Sequence, residues 1–477
     1  MARLSSKHQQ QVLVLNDFSG GLNTLLDPEN IAENELQRAE NWEYDSRTGR
    51  FKVVDGVLEC YNAEITVNSI YYDEIHKEML FTSGKELYKT TIEFESHELI
   101  GELTGDMLNP IFVAFGDNIL IASGGALQAY NGEELITTKS PDAEIVFVRF
   151  GRVIVSNSSS DYLYYSAVGD AASDKAWSDE SSDDSSSKSL QIGYKDGGTI
   201  TGLAPLSSDI IIFKSNNMIY RLTNEYPNWV VSEVSRNNSC FNHNCCLQVN
   251  NDMFFFGRNG FCSLSTVFEY GSVKASEPGR KVNNTLMAVM QEDVSCLWHL
   301  PNKNQIIIKP NNDNYLWIYN YVIGAFTMRK TNVMFNHMIY CNDECYVASG
   351  TKIGRLSSVI ATENGVNIVS VLESKIFTSD NYYLVKKGSI LLGNIVKGTG
   401  YGLIDKLMLP LEFGDSSDIV YLDNDVACLD DDSLADAANN QTWSKRCNMR
   451  SRALSIRLEI TSGAVSIIGF KLIVTEV

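Results

Sequence analysis

Short runs of three apolar residues recur along the chain, and a polar turn with Gly, Asn or Asp precedes each of them. The seven runs are Met79-Leu80-Phe81, Ile119-Leu120-Ile121, Val153-Ile154-Val155, Ile210-Ile211-Ile212, Met253-Phe254-Phe255, Ile306-Ile307-Ile308 and Cys345-Tyr346-Val347. Consecutive runs begin about 44 positions apart on average, which matches the ~40–50 residues of one propeller blade. Because each run is continuous, apolar and bounded by turns, it predicts an inner or middle strand with more than half of its side chains buried.

A tight polar turn and a second, aromatic strand follow most of these runs, which predicts a β-hairpin in each repeat. Gly84 precedes Leu87-Tyr88, for example, and the turn from Gly257 to Gly260 precedes Phe261 to Leu264. Since a hairpin buries only one face, evenly spaced hairpins must share a core, as propeller blades do. We therefore predict an all-β fold, a β-propeller of about seven blade-like units. A β-sandwich or an irregular all-β chain with chance spacing is the alternative.

Helical periodicity is confined to one short segment near the N-terminus, from Pro28 to about Trp42. Asp27 is placed to cap this helix and Pro28 to start its first turn. Its apolar face would consist of Ala32, Leu36, Ala39 and Trp42. The spacing of these residues predicts a short N-terminal helix.

The pattern changes again after Val359, where the strands become longer and alternate, as in the closing run from Ala453 to Val474. This change indicates a second domain. We therefore divide the chain into an N-terminal arm with the short helix (residues 1–60), a β-propeller (61–360) and a C-terminal β-rich domain (361–477).

Two stretches are too polar to join a core. Ser178 to Ser187, between the third and fourth apolar runs, consists of Ser, Asp and Glu and predicts a mobile solvent-exposed loop. A solvated insertion is the simpler interpretation, and a tip that contacts a partner is the alternative. The second stretch, Asp423 to Asp436, lacks the residue order of a calcium-binding loop, so we expect it to be exposed and without a ligand.

Composition agrees with a mostly-β globular protein and limits its partners. Of the 477 residues, 44% are hydrophobic and 21% are charged, and the 22 Tyr and 20 Phe favour strands. The 59 acidic and 39 basic residues give a formal charge of −20. Such a chain lacks the basic surface that grips nucleic acid phosphates, whereas an acidic wall suits a channel through which DNA slides.

We expect the protein to be made in a cytosol-like compartment. Met1 to Val14 holds no apolar region of a secretory signal, and no apolar stretch approaches the ~20 residues of a membrane helix. In such a compartment the 10 cysteines are mostly reduced thiols. The cluster Cys240 to Cys246 includes His243, but its spacing matches no recognised zinc site. We interpret it as buried or loop thiols, with a zinc site as the alternative, and we interpret Cys341 and Cys345 as structural.

The sequence contains no catalytic motif that points to an enzyme. Propellers also support glycan hydrolysis by paired carboxylates or a Tyr nucleophile, but a chain with 59 acids and 22 tyrosines always offers such a pair. There is no Asp-box repeat, no G-x-S-x-G elbow, no H-E-x-x-H and no P-loop, and the chain has only 6 His. We therefore predict a protein that is not an enzyme, and we assign no catalytic, cofactor-binding or metal-binding residues and no cofactor.

Several segments keep a recognisable order along the chain. They are Asn16 to Asn23 with the segment up to Trp42, Gly49 to Gly56, Leu163 to Asp170 with Trp177, Ile200 to Leu206, Ile212 to Lys214, Ile219 to Leu222, Phe254 to Gly260 and Arg450 to Leu472. Together they resemble the tail hub, nozzle or packaged-DNA stabilisation (head-completion) proteins of short-tailed bacteriophages, which are propeller proteins. The chain departs from this family at Cys240 to Cys246, where the relatives carry a small loop with Gly. None of the matching residues is catalytic in the family.

The resemblance implies a structural role in the tail of the virion, after synthesis in the cytoplasm of the host bacterium. Identical subunits would form a ring, hexameric in the relatives, that continues the channel of the portal and its adaptor, the head-tail connector. The ring would retain packaged DNA, conduct it during ejection without binding it specifically, and anchor tail fibres or spikes. The alternative is a receptor-binding or glycan-binding propeller at the tail tip, with or without glycan hydrolysis.

A channel for DNA has an electrostatic requirement. A positive lumen would pair each passing phosphate with Lys or Arg and slow ejection. We therefore expect the loops that face the lumen to be net acidic or neutral. The basic residues Lys386, Lys387, Arg450 and Arg452 are expected at contacts between subunits or between rings.

Overall fold

The computed structural model describes most of the chain. Six strands precede the repeats that the sequence predicts. The described residues are 10–178, 183–267, 272–289, 294–310, 314–378, 386–397, 403–409, 420–421, 440–451, 453–463 and 465–476. The first strands are β1 (Gln10–Leu15), β2 (Gly21–Leu22), β3 (Glu35–Glu40), β4 (Trp42–Asp45), β5 (Arg50–Val53) and β6 (Gly56–Asn62). In this described part of the chain, no helix has the length and apolar character needed to cross a bilayer.

Seven sets of four antiparallel strands follow, and each set is one blade of a β-propeller. Blades 1 to 3 consist of β7 (Ser69–Asp73), β8 (Glu78–Ser83), β9 (Glu86–Thr90) and β10 (His97–Glu102); β11 (Ile111–Phe115), β12 (Asn118–Ala122), β13 (Ala126–Tyr130) and β14 (Leu135–Asp142); and β15 (Ile145–Arg149), β16 (Arg152–Ser156), β17 (Tyr162–Tyr165) and β18 (Lys188–Gln191). Blades 4 to 6 consist of β19 (Ile200–Leu206), β20 (Asp209–Lys214), β21 (Ile219–Thr223) and β22 (Val230–Ser235); β23 (Cys246–Val249), β24 (Asp252–Gly257), β25 (Gly260–Val267) and β26 (Ser272–Ser276); and β27 (Val294–Leu300), β28 (Gln305–Pro310), β29 (Tyr315–Asn320) and β30 (Ala325–Lys330). Blade 7 consists of β31 (His337–Cys341), β32 (Glu344–Ser349), β33 (Lys352–Ser357) and the early strand β6.

Four short helical elements interrupt the strands. They are the α-helix α1 (Asn283–Val289) and the 3₁₀ turns His243–Cys245, Pro278–Lys281 and Pro301–Lys303. All four lie in connections before or within blades 5 and 6. They leave the four-stranded pattern of the blades intact.

All seven apolar runs of the sequence lie in the second strand of a blade and are buried, which confirms the predicted repeat. Along each run the side chains alternate between the two neighbouring blades. In β20, Ile210 and Ile212 pack into the core shared with blade 3, whereas Ile211 packs into the core shared with blade 5. Both faces of the strand are therefore buried, and for this reason the run is continuous instead of alternating with polar residues.

The ring closes where the two ends of the propeller meet. β6, from the N-terminal segment, pairs antiparallel with β33 and supplies the outermost strand of blade 7. The innermost strand of that blade, β31, lies beside β7 of blade 1. Met79 and Phe81 of blade 1 share a core with Tyr346 and Ile353 of blade 7. The fold is thus a closed seven-bladed β-propeller whose last blade is completed by an N-terminal strand.

The remaining strands form a second β-structure that uses both ends of the chain. They are β34 (Thr362–Glu363), β35 (Val366–Asn367), β36 (Ser370–Ser374), β37 (Phe377–Thr378), β38 (Lys386–Lys397), β39 (Leu403–Leu409), β40 (Val420–Tyr421), β41 (Asn440–Ser451), β42 (Ala453–Leu454), β43 (Arg457–Ser462) and β44 (Val465–Glu476). One sheet has the order β4-β5-β44-β38-β41, with β1 also paired to β44. The other extends blade 6, because β3 runs parallel to β30 and is followed by β36, β43, β39 and β40. Side chains from both sheets share one core, among them Trp42, Phe51, Leu458 and Phe470.

The predicted N-terminal helix is wrong. Asn30 N–H donates to the Asp27 carbonyl at 2.8 Å in a turn, and the segment continues as strands β3 and β4. The register of β3 shifts between Leu36 and Arg38, as a β-bulge does, so that Leu36 and Ala39 both reach the same core although they are three positions apart. A bulged strand therefore reproduced the three-residue spacing of a helix.

The division of the chain into three parts stays a prediction, but strand pairing joins the first part to the third. Leu15 lies opposite Phe470, and Arg38 lies opposite Glu373. The propeller strands extend from β6 to β33, close to the predicted boundaries at residues 61 and 360. The N-terminal segment thus packs with the C-terminal strands before it enters the propeller.

Candidate functional site

A polar cavity of about 610 Å³ lies where the N-terminal strands meet blades 6 and 7. The hairpin of β4 and β5 forms one wall, and the turn between β27 and β28 forms another together with β33. Its charged lining residues are Glu43, Asp45, Asp55, Glu344, Arg47, Lys52, Lys303 and Arg355. The volume falls in the range of roughly 300–1,000 Å³ typical of ligand sites. This junction cavity is therefore the candidate functional site.

Four buried or half-buried charges in the cavity wall neutralise one another. Lys303 Nζ, in the turn of blade 6, lies 2.9 Å from Glu43 Oε1 and 2.7 Å from Asp55 Oδ2. Lys52 Nζ, on β5, lies 3.1 Å from Glu43 and 2.8 Å from Asp55. Gln305 also donates to Glu43, at 3.0 Å. This junction charge cluster, made of Glu43, Lys52, Asp55 and Lys303, ties the N-terminal hairpin to the propeller.

Attraction within the cluster outweighs the cost of burying its acids. Burial alone raises the pKa of Glu43 and of Asp55, but attraction to Lys303 and Lys52 lowers both pKa values below their usual range. Burial alone likewise lowers the pKa of Lys52, and attraction to Glu43 and Asp55 raises it above its usual value. Both acids are thus ionised at neutral pH, so they have no proton to donate in general acid catalysis.

We expect the Lys303→Met variant to be less stable than the unchanged protein by about 2 kcal/mol at neutral pH, because Glu43 and Asp55 lose one buried cation. Both acids have depressed pKa values in the folded state. Their contribution is therefore present above their unfolded pKa of about 4 and is lost as the pH falls toward the folded value. Urea midpoints of variant and unchanged protein should differ at neutral pH, and the difference should shrink progressively as the pH falls below about 4. Lys139→Met, which removes a lysine with 68% of its side chain exposed, is the control and should change little at either pH.

The remaining acids of the junction cavity also have partners. Glu344 pairs with Arg355 at 3.0 Å. Asp45 accepts the Arg47 N–H at 2.9 Å and the Thr48 hydroxyl at 2.8 Å in the turn of the hairpin. Among the described lining residues, every carboxylate therefore has a donor or a cation beside it. A cavity with balanced charge fits a neutral polar or zwitterionic molecule, or a loop of a partner, better than it fits an anion.

Sequence reasoning missed a group of side chains with metal-ligand chemistry in blade 1. The ligand atoms of Asp73, His76 and Glu78 lie within 4.8 Å of one another. All three have protein partners, since His76 Nδ1 lies 2.6 Å from Asp73 Oδ2 and the Tyr130 hydroxyl of blade 2 donates to Glu78 at 2.5 Å. A Cβ on Gly132, also in blade 2, would lie 2.5 Å from the His76 ring. The group thus joins blades 1 and 2, and its signal in the sequence is D-x-x-H-x-E across a hairpin turn.

The cysteine cluster lies in the connection between blades 4 and 5. Cys240 and Cys245 are buried, Cys246 is half-buried, and all three are free thiols. Burial lowers the pKa of His243 to about 4, and its neutral ring accepts the Leu203 N–H through Nδ1 at 3.2 Å. This hydrogen bond uses the lone pair that a metal ion at Nδ1 needs. The geometry favours buried thiols over the zinc alternative.

The second pair of cysteines, Cys341 and Cys345, is buried in blade 7. Burial raises the pKa of each thiol to about 12. Both thiols therefore stay protonated and act as small apolar side chains, as expected of structural cysteines.

The polar insertion Ser178 to Ser187 lies between the third and fourth strands of blade 3. Asp184 is exposed, as predicted for this loop. However, Ser187 is buried, and the buried Arg152 donates to the carbonyl oxygen of Ser186, at 2.7 Å, and to that of Asp184. The prediction of a wholly solvated loop is wrong for this end of the insertion, because a buried guanidinium group requires acceptors around it.

Several predicted features lie outside the described residues. They are positions 179–182 of the insertion, the acidic stretch Asp423 to Asp436, Arg452, and the side chains of Lys386, Lys387 and Arg450. The exposure predicted for the acidic stretch stays a prediction. The placement of these basic residues at contacts between subunits also stays a prediction.

Negative charge is concentrated in two of the seven blades. Residues 61–144, which hold blades 1 and 2, contain 15 acids and 4 bases, a net charge of −11 out of the total of −20. Glu98 and Glu102 on the outer strand β10 are exposed, as are Glu133 and Glu134 before β14. We call this exposed, acidic surface of blades 1 and 2 the acidic flank. It repels the phosphate backbone of nucleic acid and attracts a basic protein surface.

No protein-family model matches the sequence, and no curated protein sequence matches it significantly. Among solved structures, the chain is similar to BamB from Moraxella catarrhalis, with 10% identity over 72% of this chain and 95% of that chain and a TM-score of 0.40. It is also similar to the Cps50 (Swd1) β-propeller domain of Myceliophteria thermophila (5% identity, 64% and 99% covered, TM-score 0.44). A third similar structure is the Pan2 WD40 domain of Neurospora crassa (8% identity, 64% and 91% covered, TM-score 0.41). At these values no function is carried over from these proteins, and what the chain shares with them is the β-propeller fold.

Proposed function

We propose that the protein is a structural subunit of the tail hub or nozzle of a short-tailed bacteriophage. The observation that carries this proposal is where the family-like segments lie in the fold. Ile200 to Leu206 is the innermost strand of blade 4, Ile212 to Lys214 belongs to its buried second strand, and Phe254 to Gly260 forms the central hairpin turn of blade 5. Residues that shape blades support a role in building a rigid particle.

The family-like segment near the N-terminus supports the same role. Gly21 has a φ of +64°, and a Cβ there would lie 2.7 Å from the Phe326 carbonyl oxygen of blade 6. Only glycine combines this backbone conformation with so close an approach. Asn23, two positions later, donates to Glu35 at 2.8 Å. The segment thus holds the second β-structure against the propeller, which is a structural task.

The charge distribution fits a ring through which DNA passes. In the proposed ring, identical subunits, six as in the relatives, continue the channel of the portal adaptor, retain packaged DNA and conduct it during ejection. A subunit with a formal charge of −20 makes few contacts that release counterions from DNA, so DNA is not held by the wall. The acidic flank of blades 1 and 2 offers a surface to which fibres or spikes with basic surfaces attach.

Native mass spectrometry and electron microscopy of the full-length protein test this proposal. We expect ring-shaped particles with the mass of six subunits, formed by the protein alone or together with the portal adaptor. A protein that stays monomeric at every concentration, with and without the adaptor, would contradict the proposal, and a trimer would favour a fibre-tip protein.

Glycan binding is the second candidate function, and the junction cavity is the observation in its favour. The cavity is polar and large enough for a small saccharide. However, Tyr44 is the only aromatic residue among its described lining residues. Calorimetric titration with glycans from the host surface distinguishes the two functions. Binding that disappears in Tyr44→Ala would support the second candidate, and the absence of binding in the unchanged protein would eliminate it.

A further inference from the structure

Cys240 and Cys246 meet above the innermost strand of blade 4. The connection that carries them leaves β22 after Ser235, passes through the 3₁₀ turn His243–Cys245 and enters β23 at Cys246. A Cβ placed on Gly202 of β19 would lie 2.6 Å from the Cys240 sulfur and 3.1 Å from the Cys246 sulfur. Both sulfur atoms therefore occupy the space that a side chain at position 202 would fill.

Hydrogen bonds fix each of the two thiols beside β19. The Cys246 thiol donates to the His243 carbonyl oxygen at 3.2 Å, and the Cys240 sulfur lies 3.7 Å from the Thr201 hydroxyl. Two cysteines whose sulfur atoms lie beside the same point above Gly202 are candidates for a disulfide, which requires Cβ atoms about 3.5–4.5 Å apart.

We propose that Cys240 and Cys246 are an oxidation site, whose two thiols close to a disulfide when the protein meets a peroxide. In the first step the Cys246 thiolate attacks one oxygen of hydrogen peroxide, hydroxide leaves, and Cys246 becomes a sulfenic acid. In the second step the Cys240 sulfur attacks the Cys246 sulfur, and the hydroxyl group leaves as water. Two thiols and one hydrogen peroxide thus give one disulfide and two water molecules, and the peroxide takes both electrons.

Exposure determines the order of the two steps. Cys246 is half-buried, whereas Cys240 is only 3% exposed, so the peroxide reaches Cys246 first. The neighbouring Cys240 thiol, together with burial, raises the pKa of the Cys246 thiol well above its usual value. Because the thiolate is the nucleophile, oxidation is slow at neutral pH and becomes faster as the pH rises. Cys245 lies fully buried in the core between blades and does not compete.

The disulfide fastens a connection that three blades share. The turn between the two cysteines packs against β19 of blade 4, β24 of blade 5 and β27 of blade 6. Joining both ends of this turn limits the freedom of the unfolded chain. The oxidised protein should therefore unfold at a higher temperature than the reduced protein.

Peptide mapping of the full-length protein tests the site. The protein is treated with hydrogen peroxide at about pH 7 and about pH 9, its remaining thiols are alkylated in denaturant, and it is digested. Trypsin cuts after Arg236 and Arg258, which leaves three cysteines on one peptide, and chymotrypsin then cuts after Phe241 and separates Cys240 from the others. We expect the two halves to stay joined until a reductant is added, and the link to form several-fold faster at the higher pH.

Serine variants identify the two sulfur atoms that are joined. Cys240→Ser and Cys246→Ser should each abolish both the link and the rise in unfolding temperature. Cys262→Ser, which replaces a buried thiol on β25, and Cys245→Ser are matched controls and should keep both effects. Halves that separate without reductant, a link that persists in Cys246→Ser, or one that is lost in Cys245→Ser would overturn the proposal. If a variant does not fold, fragmentation of the joined peptide from the unchanged protein decides the question, because the alkyl group then lies on Cys245 if Cys246 is linked and on Cys246 if Cys245 is linked.

Discussion

The Glu363→Gln variant should lose about 3–5 kcal/mol of its free energy of unfolding, measured as a lower midpoint in urea. Glu363 on β34 and Arg329 on β30 form an ion pair whose side chains are only 1% and 4% exposed. Arg329 donates to Glu363 through Nε at 3.1 Å and also through Nη2. Glu363 accepts the Asn332 N–H as well, at 2.8 Å. A glutamine keeps the shape of the side chain but leaves the guanidinium charge buried without a counter-ion.

An exposed pair in blade 7 provides the control for this substitution. The side chains of Arg355 and Glu344 also form a close ion pair, 3.0 Å apart, but they are 35% and 41% exposed. Water screens this pair, so Glu344→Gln should cost less than about 1 kcal/mol. If the two substitutions had equal effects, burial would not be the source of the stability of the Arg329 pair.

Ile211→Ala should destabilise the protein by about 2–5 kcal/mol. Ile211 is the middle residue of the apolar run in β20 and has no exposed surface. Its side chain fills the core between blades 4 and 5. Truncation removes apolar atoms from that core and leaves a cavity between two rigid sheets that have little room to collapse. The measurement is again the urea midpoint, followed by tryptophan fluorescence.

Val230→Ala, on the outermost strand of the same blade, is the matched control. Val230 is 52% exposed, so its truncation should change the free energy of unfolding by no more than about 0.5 kcal/mol. A comparable loss in both variants would show that the apolar runs are not the main source of stability of the blades.

The propeller was predictable because its signal is local. Each apolar run encodes a strand buried on both faces, and seven such strands in sequence specify seven blades. Ring closure has no such signal, since β6 is an outer strand with several exposed residues and lacks an apolar run. Its partner β33 lies far along the chain, and only the fold brings the two together.

The candidate site was not predictable, and the cause is again distance along the chain. Glu43 and Lys303 are 260 positions apart in the sequence. In the sequence, each of these residues looks like a solvated surface charge. The residues around Lys303 do not indicate that two acids contact its side chain. The wrong helix at Leu36 and Ala39 has a local cause, because a bulge gave a strand the spacing of a helix. Contacts between distant segments and irregular strands are thus where the sequence pattern is weakest.

Closure of the last blade by an early strand affects how the chain is made on the ribosome. Asn62, at the end of β6, accepts a hydrogen bond from Thr351, which is 289 positions later. At a synthesis rate of roughly 5–20 residues per second, β6 waits about 15–60 s for the strand that it pairs with. During this interval its unpaired edge is open to other nascent chains. Slower translation should therefore increase aggregation of this protein, and a chaperone that covers extended segments should reduce it.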